Sequence, residues 1–152
     1  VDVQPARDTD RLATVGQRVV GFLADTALAG FVLATPGILA RGAVDFDDLS
    51  PGVLSLLAIA GFLFLALYEI VPIALWGRTP GKVVVGTRVV GMDDGRVPGW
   101  KRSLLRWALP ALAWRIKVVG WVLPLVLRGT LVTDPLRQGV HDKLAGTIVV
   151  KA

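Results

Sequence analysis

The stretch Leu54 to Trp76 constrains this chain most, because it runs LSLLAIAGFLFLAL almost without a polar residue before Tyr68 and Glu69. A helix of that length crosses the ~30 Å hydrocarbon core of a bilayer. A second apolar stretch, about Arg18 to Thr35, precedes it, and Pro36-Gly37 is expected to end it. Apolar residues make up 53% of the chain and mean hydropathy is +0.61, so an all-α membrane protein is the expected class. Arg7 and Arg11 before the first apolar stretch raise the signal-peptide reading. Asp25 interrupts the apolar core and no small-x-small cleavage pattern follows, which favours a retained helix.

Charge then sets the expected orientation. The loop between the spans carries Arg41 against Asp45, Asp47 and Asp48. The loop after the second span carries Arg78, Lys82, Arg88, Arg96, Lys101, Arg102 and Arg106. Basic loops stay cytoplasmic, so the amino terminus and residues 77–106 are expected inside and the acidic loop outside. The net charge of +5 is read as attraction to a bilayer with anionic headgroups. Nucleic acid is not expected as a partner, since no recognition helix or basic-aromatic sheet motif accompanies the charge. The absence of cysteine excludes disulfides and thiolate metal sites.

Two acids stand within the spans. Asp25 lies seven residues after Arg18, two helical turns on nearly the same face and ~10 Å along the axis. Glu69 lies seven residues before Trp76, so antiparallel spans put both carboxylates at similar depth. An intramembrane acid costs roughly 2.5–3.5 kcal/mol on insertion scales, which asks for a reason. Gly21, Ala24 and Ala29 on the first helix and Ala60, Gly61 and Ala66 on the second permit close approach.

Beyond the second span the character changes. The run VVVGTRVV at 83–90 is β-branched, Asp93-Asp94-Gly95 is a turn signal, and GTIVV at 146–150 reads as a second strand. A cytoplasmic β pairing of 83–90 with 146–150 is therefore expected. That pairing puts the tail, 133–152, on the same side as the segment 77–103. Residues 104–132 then form a short or re-entrant hairpin, with helices near Leu104–Trp114 and Val118–Val132 around Pro110, Arg115, Lys117 and Pro124; the alternative is one kinked third span. Trp100, Trp107, Trp114 and Trp121 recur every seven residues, a spacing read as anchoring at the headgroup level.

The stretch Gly77-Arg78-Thr79-Pro80-Gly81-Lys82 invites a phosphate-loop reading. It is one residue short between glycines, loses an amide donor at Pro80, and has Val83 where a hydroxyl belongs. A tight cytoplasmic turn, with Gly81 at a special backbone angle, is expected instead. His141-Asp142 is the only histidine with an adjacent acid, yet neighbours in sequence make no catalytic dyad by adjacency. Asp142 is expected to cap a helix or to pair with a cytoplasmic arginine. With no nucleophile turn or zinc spacing, no enzyme, no metal and no cofactor are expected.

Arg18, Asp25, the GRTPGK-VVVGTRVV block at 77–90 and His-Asp-Lys-Leu-Ala-Gly-Thr at 141–147, in that order, resemble the RDD family of bacterial membrane proteins, named for an arginine and two aspartates. The resemblance covers about residues 14 to 150 and implies a single membrane domain over 1–152 in the cell (inner) membrane. It places the named residues at Arg18, Asp25 and Asp142. Transport of unknown ligands is suggested for the family, and some members are linked to sodium–proton antiport. Two readings follow. In one, Asp25 and Glu69 carry a monovalent cation or proton, and so short a chain works as a homo-oligomer or within a larger membrane complex. In the other, Arg18, Asp25 and Asp142 form a structural network in a non-transporting accessory or scaffold subunit.

Overall fold

A computed structural model describes residues 9–40, 42, 44–45, 48–113 and 134–152. After a 3-10 turn at Thr9–Arg11, two long helices follow: α1 (Val15–Ala40) and α2 (Pro51–Trp76), each of 26 residues. Both are long and apolar enough to cross a membrane, and only 11% and 6% of their apolar windows are buried within the chain. Helices of a soluble core would be buried, so these faces are built for an apolar surrounding.

The helix ends follow from local chemistry. The Thr14 hydroxyl accepts the Gln17 N–H (3.1 Å) and the Gln17 side chain accepts the Thr14 N–H (3.0 Å), a reciprocal cap on α1. Ser50 caps α2, with Pro51 at its first position. Pro36 does not end α1, contrary to the expectation from sequence: the helix runs on to Ala40. In apolar surroundings, leaving the helix would unmake more backbone hydrogen bonds than a proline costs near its last turn.

Beyond α2 the chain folds into a small cap at one end of the long helices. It comprises α3 (Pro80–Val84), β1 (Thr87–Gly91), α4 (Gly99–Ala113), α5 (Val140–Ala145) and β2 (Thr147–Lys151). β1 and β2 pair antiparallel, with Val89 opposite Val149 and Val90 opposite Ile148, as the sequence led one to expect. Leu12 bridges to Val150 on the outer edge of β2, and Ala13 N–H donates to the Val149 carbonyl (3.0 Å). The segment before α1 thus lies beside the carboxy-terminal strand.

The sheet has a core on each face. Val89 and Val149 pack with Ala13 and Ile73, the latter on the last turns of α2. Val90 and Ile148 pack with Leu12, flanked by Met92 and Leu136.

Three further expectations need correction. The strand proposed for 83–90 starts only at Thr87, because Pro80 at a helical first turn and an acceptor for the Gly81 N–H make 80–84 helical despite Val83 and Val84. α4 begins at Gly99 rather than Leu104 and passes through Pro110 to Ala113. Arg106, expected in the basic cytoplasmic loop, is a buried residue of α4, and its neighbour Trp107 packs edge-on against Phe62 (ring centroids 5.3 Å); Trp100 is exposed. Trp114, Trp121 and the proposed helix Val118–Val132, and with them the choice between hairpin and third span, lie outside the described residues.

Candidate functional site

Arg18 and Asp25 do share a face of α1, but they do not pair. Each reaches into a different part of the cap.

Asp25 is the cap of a helix to which it does not belong. Its Oδ1 accepts the Gly81 N–H (2.7 Å) in the first turn of α3 and the Tyr68 hydroxyl (2.9 Å) of α2. Its Oδ2 accepts the Thr79 hydroxyl (2.5 Å), and Lys82 Nζ stands 3.6 Å from it. Lys82 Nζ also donates to Thr79 Oγ1 (3.3 Å). Asp25 is 9% exposed, and this ring of donors replaces the water that a carboxylate needs.

The GRTPGK segment is therefore built to meet Asp25, not a phosphate. Gly77 ends α2 in the left-handed region (φ 72°), where a Cβ would stand 2.6 Å from the Val89 carbonyl oxygen. Thr79 lies at the N-cap, Pro80 at the first helical position, and Lys82 three residues on, so all the donors converge. Gly81 is needed for a different reason from the one expected. It has ordinary helical backbone, but a Cβ there would lie 2.2 Å from the Gly21 carbonyl oxygen and 2.8 Å from Asp25 N. α1 and α3 cross backbone to backbone at Gly21 and Gly81, so Gly21 serves the approach of α3 rather than that of α2.

Asp142 is fully buried and sits between two guanidiniums, Arg18 Nη2 on Oδ2 and Arg106 Nη1 on Oδ1. It also caps its own helix, accepting the Gly139 N–H (3.1 Å), so both roles expected of it are filled at once. Thr147 Oγ1 accepts from Arg106 (3.3 Å), and Arg18 donates as well to the Arg137 carbonyl. His141 Nε2 lies 3.6 Å from Asp142 Oδ1. Burial alone pushes the Asp142 carboxyl up; the charges of Arg106, His141 and Arg18 and the hydrogen bond from Arg18 outweigh it and hold the group well below the usual carboxylate range. Arg106, Tyr68 and Thr147 were not singled out from sequence. The sequence offered Asp142 a choice of several basic residues, and nothing in the spacing named Arg106.

Glu69 joins neither cluster. It lines a cavity of about 530 Å³ between α1, α2 and α4, together with Asp25, Tyr68, Thr79 and Lys82 at the polar end and Phe22, Leu33, Phe62 and Trp107 along the apolar wall. The cavity brings both span acids to one space, which depends on helix rotation and which their matched depth in the sequence left open. Burial lowers Lys82 from its usual range, as does the charge of Arg106, while Glu69 and Asp25 partly restore it.

A family model described as RDD family matches residues 12–146. Comparison with curated proteins and with solved structures finds no match.

Proposed function

The chain belongs to the RDD family, and on that premise we propose that it is a membrane protein that exchanges a proton for a monovalent cation in the cavity between α1, α2 and α4. The observation that carries this reading is the meeting of two carboxylates and one ammonium, Asp25, Glu69 and Lys82, on a single cavity. Asp25 has its oxygens occupied by α3 and Tyr68, whereas Glu69 accepts no hydrogen bond among the described residues. Glu69 is thus the acid open to an incoming ion, and Asp25 holds Lys82 in place.

Lys82 is the resident cation. When it is protonated, the cavity's charge is already partly balanced and a second cation is repelled. When it gives up its proton, which burial favours, a monovalent cation can take its place beside Glu69 and Asp25 with no change in total charge. The Arg18–Asp142–Arg106 cluster keeps its role as the clamp between α1, α4 and α5. In this reading the basic cap faces the cytoplasm of a cell (inner) membrane, and a homo-oligomer or larger membrane complex supplies the moving surfaces that one short chain lacks. No covalent chemistry is assigned to the chain.

A second reading, the non-transporting scaffold, is favoured by the saturation of Asp25 and Asp142 with internal donors. Proteoliposomes separate the two. Transport predicts sodium or potassium flux driven by a pH gradient, abolished in Glu69→Gln and Lys82→Met with the melting temperature kept. Folded parent protein that passes neither ion at any pH leaves only the scaffold.

A further inference from the structure

A second cavity, of about 580 Å³, lies where α2 ends against α3 and β1. Its wall holds Leu75, Trp76 and Val83 beside two guanidiniums, Arg78 and Arg88, and no carboxylate. Among the described residues neither arginine has an ion pair or a side-chain hydrogen bond, and Arg88 Nε is buried with no acceptor. A buried guanidinium donor left unmatched is costly, so the geometry calls for an anion. Trp76 is 60% exposed and Val83 57%, so the apolar half of this cavity faces outward from the chain. Its place at the polar end of a membrane-length helix is the headgroup level, where tryptophan and arginine are enriched.

We propose that this groove is a site for one anionic glycerophospholipid from the leaflet on the side of the cap. Its phosphate lies between Arg78 and Arg88, and its acyl chains follow Leu75 and Trp76 along α2. Guanidiniums suit the task because their planar fork matches two phosphate oxygens. A zwitterionic choline headgroup brings a cation against two arginines and is disfavoured. The site is separate from the Asp25–Glu69 cavity and does not depend on transport.

The test is a thermal-shift titration of the detergent-purified chain with short-chain phosphatidylglycerol, short-chain phosphatidylcholine and inorganic phosphate. Saturable stabilisation by phosphatidylglycerol, at least about five-fold tighter than by phosphatidylcholine, is expected, with each of Arg78→Gln and Arg88→Gln weakening it by about five-fold. The double variant is expected to lose the preference. Equal response to the two lipids, or a preference that survives the double variant, overturns the proposal. Inorganic phosphate that displaces phosphatidylglycerol and stabilises as much also overturns it, since the site would then take a free anion. If a glutamine variant fails to fold, Arg88→Lys keeps the charge and stem but loses the fork. An intermediate affinity for that variant supports the site, and an unchanged affinity counts against it.

Discussion

At the scale of single residues, Asp142 carries the largest electrostatic stake. Among the described residues it is the one buried acid held by two arginines from separate elements, α1 and α4, and the first turn of its own helix rests on it as well. Asp142→Asn removes the charge and keeps the shape, leaving Arg18 and Arg106 buried beside a neutral amide. Removing one partner of such a buried pair costs about 3–5 kcal/mol, read as a fall in unfolding free energy in detergent. The pH dependence has a definite sign. Because folding lowers the Asp142 pKa, its stabilisation is present above the ordinary carboxylate value of about 3.9 and is lost as pH falls below it toward the folded value. The parent should therefore lose stability in acid more steeply than Asp142→Asn. Equal slopes would show that Asp142 is not the group being titrated.

At the scale of elements, the decisive contact is the crossing of α1 and α3. Two glycines, Gly21 and Gly81, let the backbones meet so closely that the Gly81 N–H falls on the Asp25 carboxylate. That contact also explains why Val83 and Val84 lie in a helix. Their β preference is weak beside a proline at the first turn and a charge-assisted bond to the helix amide. Gly81→Ala places a methyl against a backbone oxygen that cannot rotate away, and should destabilise by about 3 kcal/mol, the upper range for overpacking. Gly30→Ala, at a position with nothing within 4 Å, should leave the melting temperature unchanged or slightly raised. A Gly81→Ala protein as stable as Gly30→Ala would mean that the helices do not cross here. The glycine's importance was legible in the sequence, but its reason was not, since a close approach between residues 60 apart leaves no local mark.

At the scale of the whole molecule, the described residues divide into two long apolar helices and a polar cap at one end of them. Leu12, before α1, and Val150, in β2, are bridge partners, and β1 is tied to the end of α2 by the Val89 N–H, which donates to the Gly77 carbonyl (2.6 Å). The start of α1, the end of α2 and the carboxy terminus therefore share one end. With no native cysteine, single replacements report sidedness cleanly. On the proposed orientation, with the basic cap on the cytoplasmic side, Asp45→Cys should react with an impermeant maleimide on intact cells, while Asp93→Cys and Lys151→Cys should react only after permeabilisation. Labelling of 93 and 151 from opposite sides is incompatible with the β1–β2 pairing. Labelling of both from outside would keep the fold and reverse the orientation.

The membrane-length helices, the family and the pairing of the two strands were determined by the sequence alone. Hydropathy runs, turn residues and β-branched runs are local properties, readable wherever the chain is cut. The resemblance also placed Arg18, Asp25 and Asp142 in one set. Only the tertiary structure decided how that set is used: Asp25 caps α3, Arg18 crosses to Asp142, and Arg106 completes the pair. It also decided that Glu69 shares a cavity with Asp25 and stands there without a hydrogen-bond partner among the described residues. Burial and the direction of a side chain depend on helix rotation and on which distant segment comes to rest against it, and no spacing along the chain carries that information.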